Sequence, residues 1–174
     1  ISRWVVPEGP GDERVSFDPS AFVRSNDTIF MLSREGTASA APLVTAFTAR
    51  ILDVAEQYGR SCGGRLPVPL LAVLDEAANV CRWRELPDLY SHYGSRSIVA
   101  LTVLQSWAQG AEVWGEHGIR KLWGNANVRV LLGGLPDTRF LQEVSTLCGE
   151  WDAPHHTQSS STGTSSHGPG ERKL

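Results

Sequence analysis

The sequence predicts an α/β fold, a parallel sheet covered by helices, on three observations. Two apolar runs, Leu70–Leu74 and Ile98–Leu104, have the β-branched and aliphatic content of buried strands. Both stop at polar residues, Asp75-Glu76 after the first and Gln105 after the second. Between them and around them apolar residues return at helical spacing, so strand and helix patterns alternate.

Residues 1–27 are rich in Pro, Gly and charge and read as an irregular lead-in. Thr28–Ser33 is a short run with β-branched and aromatic residues, read as a first strand, and Gly36 turns the chain after it. From Ala40 to Gly59 the spacing of Leu43, Phe47, Ile51, Val54, Ala55 and Tyr58 predicts a helix. Pro42 stands in its first turn and Gly59 near its end. A Gly/Pro loop leads through Pro67 and Pro69 to a strand ending at Asp75, which is expected to be buried on both faces. Arg84–Tyr93 reads as a helix if Pro87 lies in its first turn, and Gly94-Ser95 breaks it. After the Ile98–Leu104 strand, two helices are expected, Trp107–Trp114 and Gly118–Gly124. A fourth strand, Val128–Leu132, follows, closed by Gly133-Gly134. Asp137 is placed to cap a final helix through Leu147, with Gly149 as its stop. Residues 28–150 thus form the folded unit. Residues 151–174, Ser/Thr/Gly-rich and including His155 and His156, are expected to be a disordered tail.

With 174 residues the chain suits one domain with its own core. Its net charge of −3 argues against a module that binds nucleic acid through a large basic surface, though not against a local basic rim or contacts inside an oligomer pore. Cys62, Cys81 and Cys148 form no CxxC pair and no disulfide framework, which points to a reducing, intracellular setting. Cys81 and Cys148 read as small buried or half-buried hydrophobes. No run approaches the ~18 apolar residues of a membrane-spanning helix.

The chemistry is concentrated at the ends of the two apolar runs. Acids at the carboxyl end of a parallel strand lie where open α/β sheets bind ligands. Asp75-Glu76 has the form of a Walker B pair. Asp75 would hold the Mg²⁺ shell, and Glu76 would orient or deprotonate the attacking water. A strand whose first exposed residues happen to be acidic is the plainer reading. Gln105, one helix and one strand later, would stand beside the acids on the neighbouring strand. Its amide can both donate and accept, as a sensor of phosphate or water must, although Gln at a strand end also simply caps a helix. Trp83, Trp107, Trp114 and Trp123 could stack on bases but lie in helical settings that favour packing. Arg129, within the fourth strand, reads as a structural salt-bridge partner.

An ordered series of short motifs now points to a family. Leu70–Asn79, Gly94-Ser95-Arg96, Val103–Gln109, Trp114-Gly115, Asn125-Ala126-Asn127, Leu132–Asp137 and Leu141–Gly149 resemble type IV coupling proteins. These are the TraG/TraD-like ATPases of conjugative DNA transfer. The resemblance covers about residues 28–150. It implies a RecA-like P-loop NTPase core working as a ring, usually a hexamer, at the cytoplasmic face of the cell membrane. Such a motor would use ATP and Mg²⁺ to move DNA or a relaxase–DNA complex toward a type IV secretion channel. Carried over by position, Asp75 and Glu76 match the Walker B pair, Gln105 the sensor, and Arg96 is the nearest match to the trans-acting arginine.

The chain departs from that pattern. It contains no G-x-x-x-x-G-K-[ST] loop to cradle phosphates. That absence and the Ile at position 1 lead to the expectation that this is the C-terminal, Walker B part of a longer protein. Alone, it should bind ATP weakly or not at all. The alternative is a non-catalytic docking domain for relaxosome or substrate proteins with a degenerate fold. A metal-dependent hydrolase built on Asp75 and Glu76 lacks further ligands at suitable spacing.

Overall fold

The computed structural model describes residue 9 and residues 16–33, 39–134 and 137–149. The chain first forms a short helix, α1 (Pro19–Val23), inside the stretch expected to be irregular. Asp18 caps it by accepting from the Ser20 amide, and Pro stands in the first turn. Helix α2 (Ala41–Ser61) follows with Pro again in the first turn, close to the span that the periodicity predicts. It buries Ile51, Leu52, Val54 and Ala55.

Strand β1 (Leu70–Leu74) then pairs in parallel with β2 (Ile98–Thr102), in the register Leu70 opposite Ile98 through Leu74 opposite Thr102. The crossover contains a short helix α3 (Ala77–Val80), helix α4 (Leu86–Tyr93) with Pro in its first turn, and a 3₁₀ turn at Gly94–Arg96. Helix α5 spans Trp107–Asn125, and α6 spans Thr138–Cys148. The two helices expected after β2 are continuous in assignment but kinked at Gly115, whose φ of 68° only glycine adopts without strain. The break between them was therefore legible as a local conformation. Asp137 caps α6 as expected, accepting from the Phe140 amide at 3.0 Å, and Gly149 ends it.

Two of the four expected strands do not form among the described residues. Residues 28–33 and 128–132 are irregular, and the sheet has two strands. Apolar β-branched composition is necessary for a strand, but a ladder also requires a second backbone in register. Beside 28–33 stands a cavity of about 340 Å³, lined by Asn26–Ile29 and Met31 on one side and Val68–Leu74 on the other. Phe30 and Leu32 are 85% and 91% exposed. In the second run Val128 and Val130 are 79% and 71% exposed. Arg129 there folds back on α5, donating to the Trp123 and Gly124 carbonyls at 2.8 and 3.1 Å and stacking over the Trp123 ring. It closes the helix end, where a cation meets the negative end of the dipole, and among the described residues it makes no salt bridge of the kind expected.

Burial along β1 also corrects the expectation of a strand covered on both faces. Leu70, Ala72 and Leu74 turn inward while Leu71 and Val73 are exposed, as are Val99 and Leu101 opposite them. One face rests on a core built around Leu52, Leu66, Leu86, Tyr93, Ile98 and Ile119. The crossover is held to α5 by three side chains. Trp114 donates to the Trp83 carbonyl at 2.7 Å, Lys121 meets Asp88 at 2.6 Å, and Asn125 donates to the Pro87 carbonyl at 3.1 Å. The four tryptophans pack as expected, although Trp83 lies between α3 and α4 and not in the helical setting expected of it. Trp83 is buried, and Trp107 stacks on Phe140 at 5.1 Å between ring centres, with Trp123 edge-on to both. The tail with His155 and His156 lies outside the described residues. No helix among the described residues is long and apolar enough to cross a membrane.

Candidate functional site

The backbone ladder continues one step beyond β1, and this step shapes the site. Val103 donates to the Leu74 carbonyl at 3.0 Å, and Ala77 donates to the Val103 carbonyl at 3.1 Å. Leu74 and Ala77 are both tied to one residue of the neighbouring strand, so Asp75 and Glu76 are forced outward between them. Glu76 takes up the extra length in a left-handed conformation, φ 47° and ψ 44°. For a residue with a Cβ that conformation costs on the order of 1–2 kcal/mol. Strain of this kind persists only where surrounding contacts over-determine it, and it gathers at working sites.

Asp75 is exposed, and its carboxylate accepts from the Glu76 amide at 3.0 Å. The Glu76 side chain crosses to the neighbouring strand end, where Gln105 Nε2 donates to Glu76 Oε1 at 2.6 Å. The Gln105 oxygen in turn accepts from Gln109 Nε2 at 3.3 Å. The next residue, Ser106, caps α5 by accepting from the Gln109 amide at 3.2 Å. The result is a carboxylate held by a directed amide at the mouth of the sheet, with a second carboxylate beside it. It can hold a water molecule by its proton and present an anionic edge to a hard cation.

Of the four residues singled out from the sequence, the structure brings together Asp75, Glu76 and Gln105. Arg96 stands at the opposite, amino end of β2, its Nε 3.1 Å from Glu56 Oε1 in an ion pair not aligned as a hydrogen bond. Within one chain it does not join the acids. Among the described residues no set of three His, Cys, Asp or Glu is placed to hold a metal. A Mg²⁺ ion at Asp75 would fit the usual chemistry of that ion, one or two carboxylates completed by water and phosphate oxygens. The phosphate side has no counterpart, because the chain carries no glycine-lysine loop. Burial pushes the Cys81 thiol up, away from the thiolate that nucleophilic chemistry needs. Cys62 and Cys148 are exposed, so Cys148 is not the half-buried hydrophobe expected. Gln109 stands in the sequence only as the end of the Val103–Gln109 motif, with no role of its own. The available signal was a second glutamine four residues after Gln105, in the first turn of α5.

Residues 69–173, well over half of the chain, match TraG-D_C, the family described as the TraM recognition site of TraD and TraG. The chain belongs to the TraG-D_C family. It is the C-terminal region of a TraG/TraD-like conjugative coupling protein. Comparison with curated proteins and with solved structures gave no match. The TraG-D_C match begins at the foot of β1 and contains the whole acid–amide site. It runs on past α6 through the Ser/Thr/Gly-rich segment set apart as a tail in the sequence.

Proposed function

We propose that this chain is the acid-bearing half of a nucleotide-hydrolysing coupling-protein motor. The observation that supports the reading best is the 2.6 Å contact between Glu76 and Gln105, made by a glutamate in a left-handed conformation. A carboxylate fixed through one oxygen keeps the other for a water molecule. Glu76 would orient that water and accept its proton, while the Gln105 amide holds the carboxylate in place. Asp75, exposed at the strand end, would hold the hydration shell of Mg²⁺ bound with ATP. When bound, that ion supplies charge neutralisation for the phosphates. The phosphate cradle has to come from sequence outside these residues. In such a motor the work is movement of DNA or a relaxase–DNA complex toward a type IV secretion channel, in a ring of subunits beneath the cell membrane. A trans-acting role for Arg96 in that ring requires it to exchange Glu56 for a neighbour's phosphate.

The test is Glu76→Gln in the complete coupling protein. Binding of a fluorescent ATP analogue should be retained, and DNA-stimulated hydrolysis should fall by about a hundredfold or more. Turnover at the wild-type rate would sink the reading.

A second reading, a docking domain for relaxosome proteins, is favoured by the family's description as a TraM recognition site. One variant tests both roles. Glu76→Gln should leave capture of a TraM-type relaxosome protein unchanged while hydrolysis is lost.

A further inference from the structure

We propose that Gln109 is a positioning residue for hydrolysis, one that holds the Gln105 amide in the orientation Glu76 requires. The proposal rests on the reading of Glu76 as the residue that handles water. Gln105 can serve Glu76 only through its NH₂ group, because its carbonyl oxygen would meet the carboxylate lone pairs. The two ends of a primary amide are nearly identical in shape, so sterics do not choose between them. The Glu76 carboxylate, which only accepts, demands the NH₂ end, and a donor on the far side reinforces that choice. Gln109 Nε2 donates to Gln105 Oε1 at 3.3 Å, and Gln105 Nε2 then points at Glu76 Oε1 at 2.6 Å.

Gln109 is itself held in place. Its backbone N–H donates to Ser106 Oγ at 3.2 Å, and the residue is half-buried. The following residue, Gly110, is buried against Leu104, just beyond β2, and the second half of α5. A Cβ there would stand 2.6 Å from Ile119 Cδ1 and 3.3 Å from Leu104 Cδ1. The absence of a side chain lets the first turn of α5 lie close to the strand end, within amide reach of Gln105. A chain of Glu76, Gln105 and Gln109 thus runs from the water-handling carboxylate into the helix, each link directed by the next.

The experiment compares three variants in the complete coupling protein by steady-state ATP hydrolysis with DNA present. Gln109→Leu removes the donor without adding charge. Loss of one neutral hydrogen bond should lower kcat by about threefold to tenfold with KM for ATP unchanged. Gln109→Glu keeps the shape but can only accept, so it competes with Glu76 for the Gln105 NH₂ group and should lower kcat further than Gln109→Leu does. In a Gln105→Leu background, Gln109→Leu should add nothing. Equal kcat losses in Gln109→Leu and Gln109→Glu, tracking a common fall in melting temperature, would mean a merely structural side chain and overturn the proposal. So would wild-type kcat in Gln109→Leu while Glu76→Gln is inactive. Full activity in Glu76→Gln is a separate result, which removes the motor reading itself.

Discussion

The two ends of the small sheet carry the same backbone anomaly and treat it differently. At the amino end Ser97 has φ 62°, and at the carboxyl end Glu76 has φ 47°. Around Ser97 the surroundings close in. Leu66 donates to the Arg96 carbonyl, Leu70 to the Ser97 carbonyl, and Arg65 Nε to Ser97 Oγ at 3.1 Å. The adjacent Arg96 pairs with Glu56, which also holds Arg60 at 2.7 Å. The turned residue is absorbed into the join between α2 and the sheet. Around Glu76 the same turn pushes two carboxylates out of the ladder, and one of them is met by an amide from the next strand. Strain at one end serves connection, and at the other it displays a functional group.

The strongest break is at the amino end, because the core anchors there. Ile98 is fully buried and opens β2, so Ile98→Ala should destabilise by about 2–5 kcal/mol, read as a lower urea midpoint. A loss well under 1 kcal/mol would mean that the amino end does not anchor the sheet. Next come the two turned residues. Glu76→Gly relieves the left-handed strain but gives up the Gln105 contact, so stability should move by no more than about 1 kcal/mol in thermal melts while hydrolysis is lost. Ser97→Gly relieves similar strain and gives up the Arg65 contact, so its melt should move by a similar amount with hydrolysis unchanged. Loss of hydrolysis at both sites, or at neither, would erase the distinction. Arg96→Ala breaks a partly screened ion pair and should cost no more than about 1 kcal/mol, less as salt is added. A loss of turnover out of proportion to that cost would favour the trans role.

The smallest effect at neutral pH is at Tyr93, beside Glu56. Burial, and then the charges of Glu56 and Asp53, push its phenol up from its ordinary range. The neutral form is thus favoured in the folded state, and its contribution is complete below pH ~10, where unfolded tyrosine begins to ionise. Above that pH the unfolded chain loses the proton first, so melting temperature should drop. Tyr93→Phe should flatten that alkaline drop, and an unchanged alkaline profile would contradict the assignment.

Much of this was legible in the sequence because it depends on near neighbours. The span of α2 follows from its apolar spacing and Pro42, and the cap of α6 from Asp137. The acids and Gln105 were placed at adjacent strand ends from run lengths alone. Helical periodicity, capping and the end of an apolar run are properties of a few consecutive residues.

Only the tertiary structure decided the rest. Residues 28–33 and 128–132 have strand composition, yet pairing depends on whether another backbone arrives in register, and that partner is remote in sequence. The bare face of Leu71, Val73, Val99 and Leu101 depends on which side the helices pack. Arg96, the nearest match to a trans-acting arginine, has its partner within this chain in Glu56 on α2, at the other end of the sheet from the acids. The left-handed turn of Glu76 exists because Leu74 and Ala77 both bond to Val103. Such a constraint is set between strands, so no stretch of chain contains it.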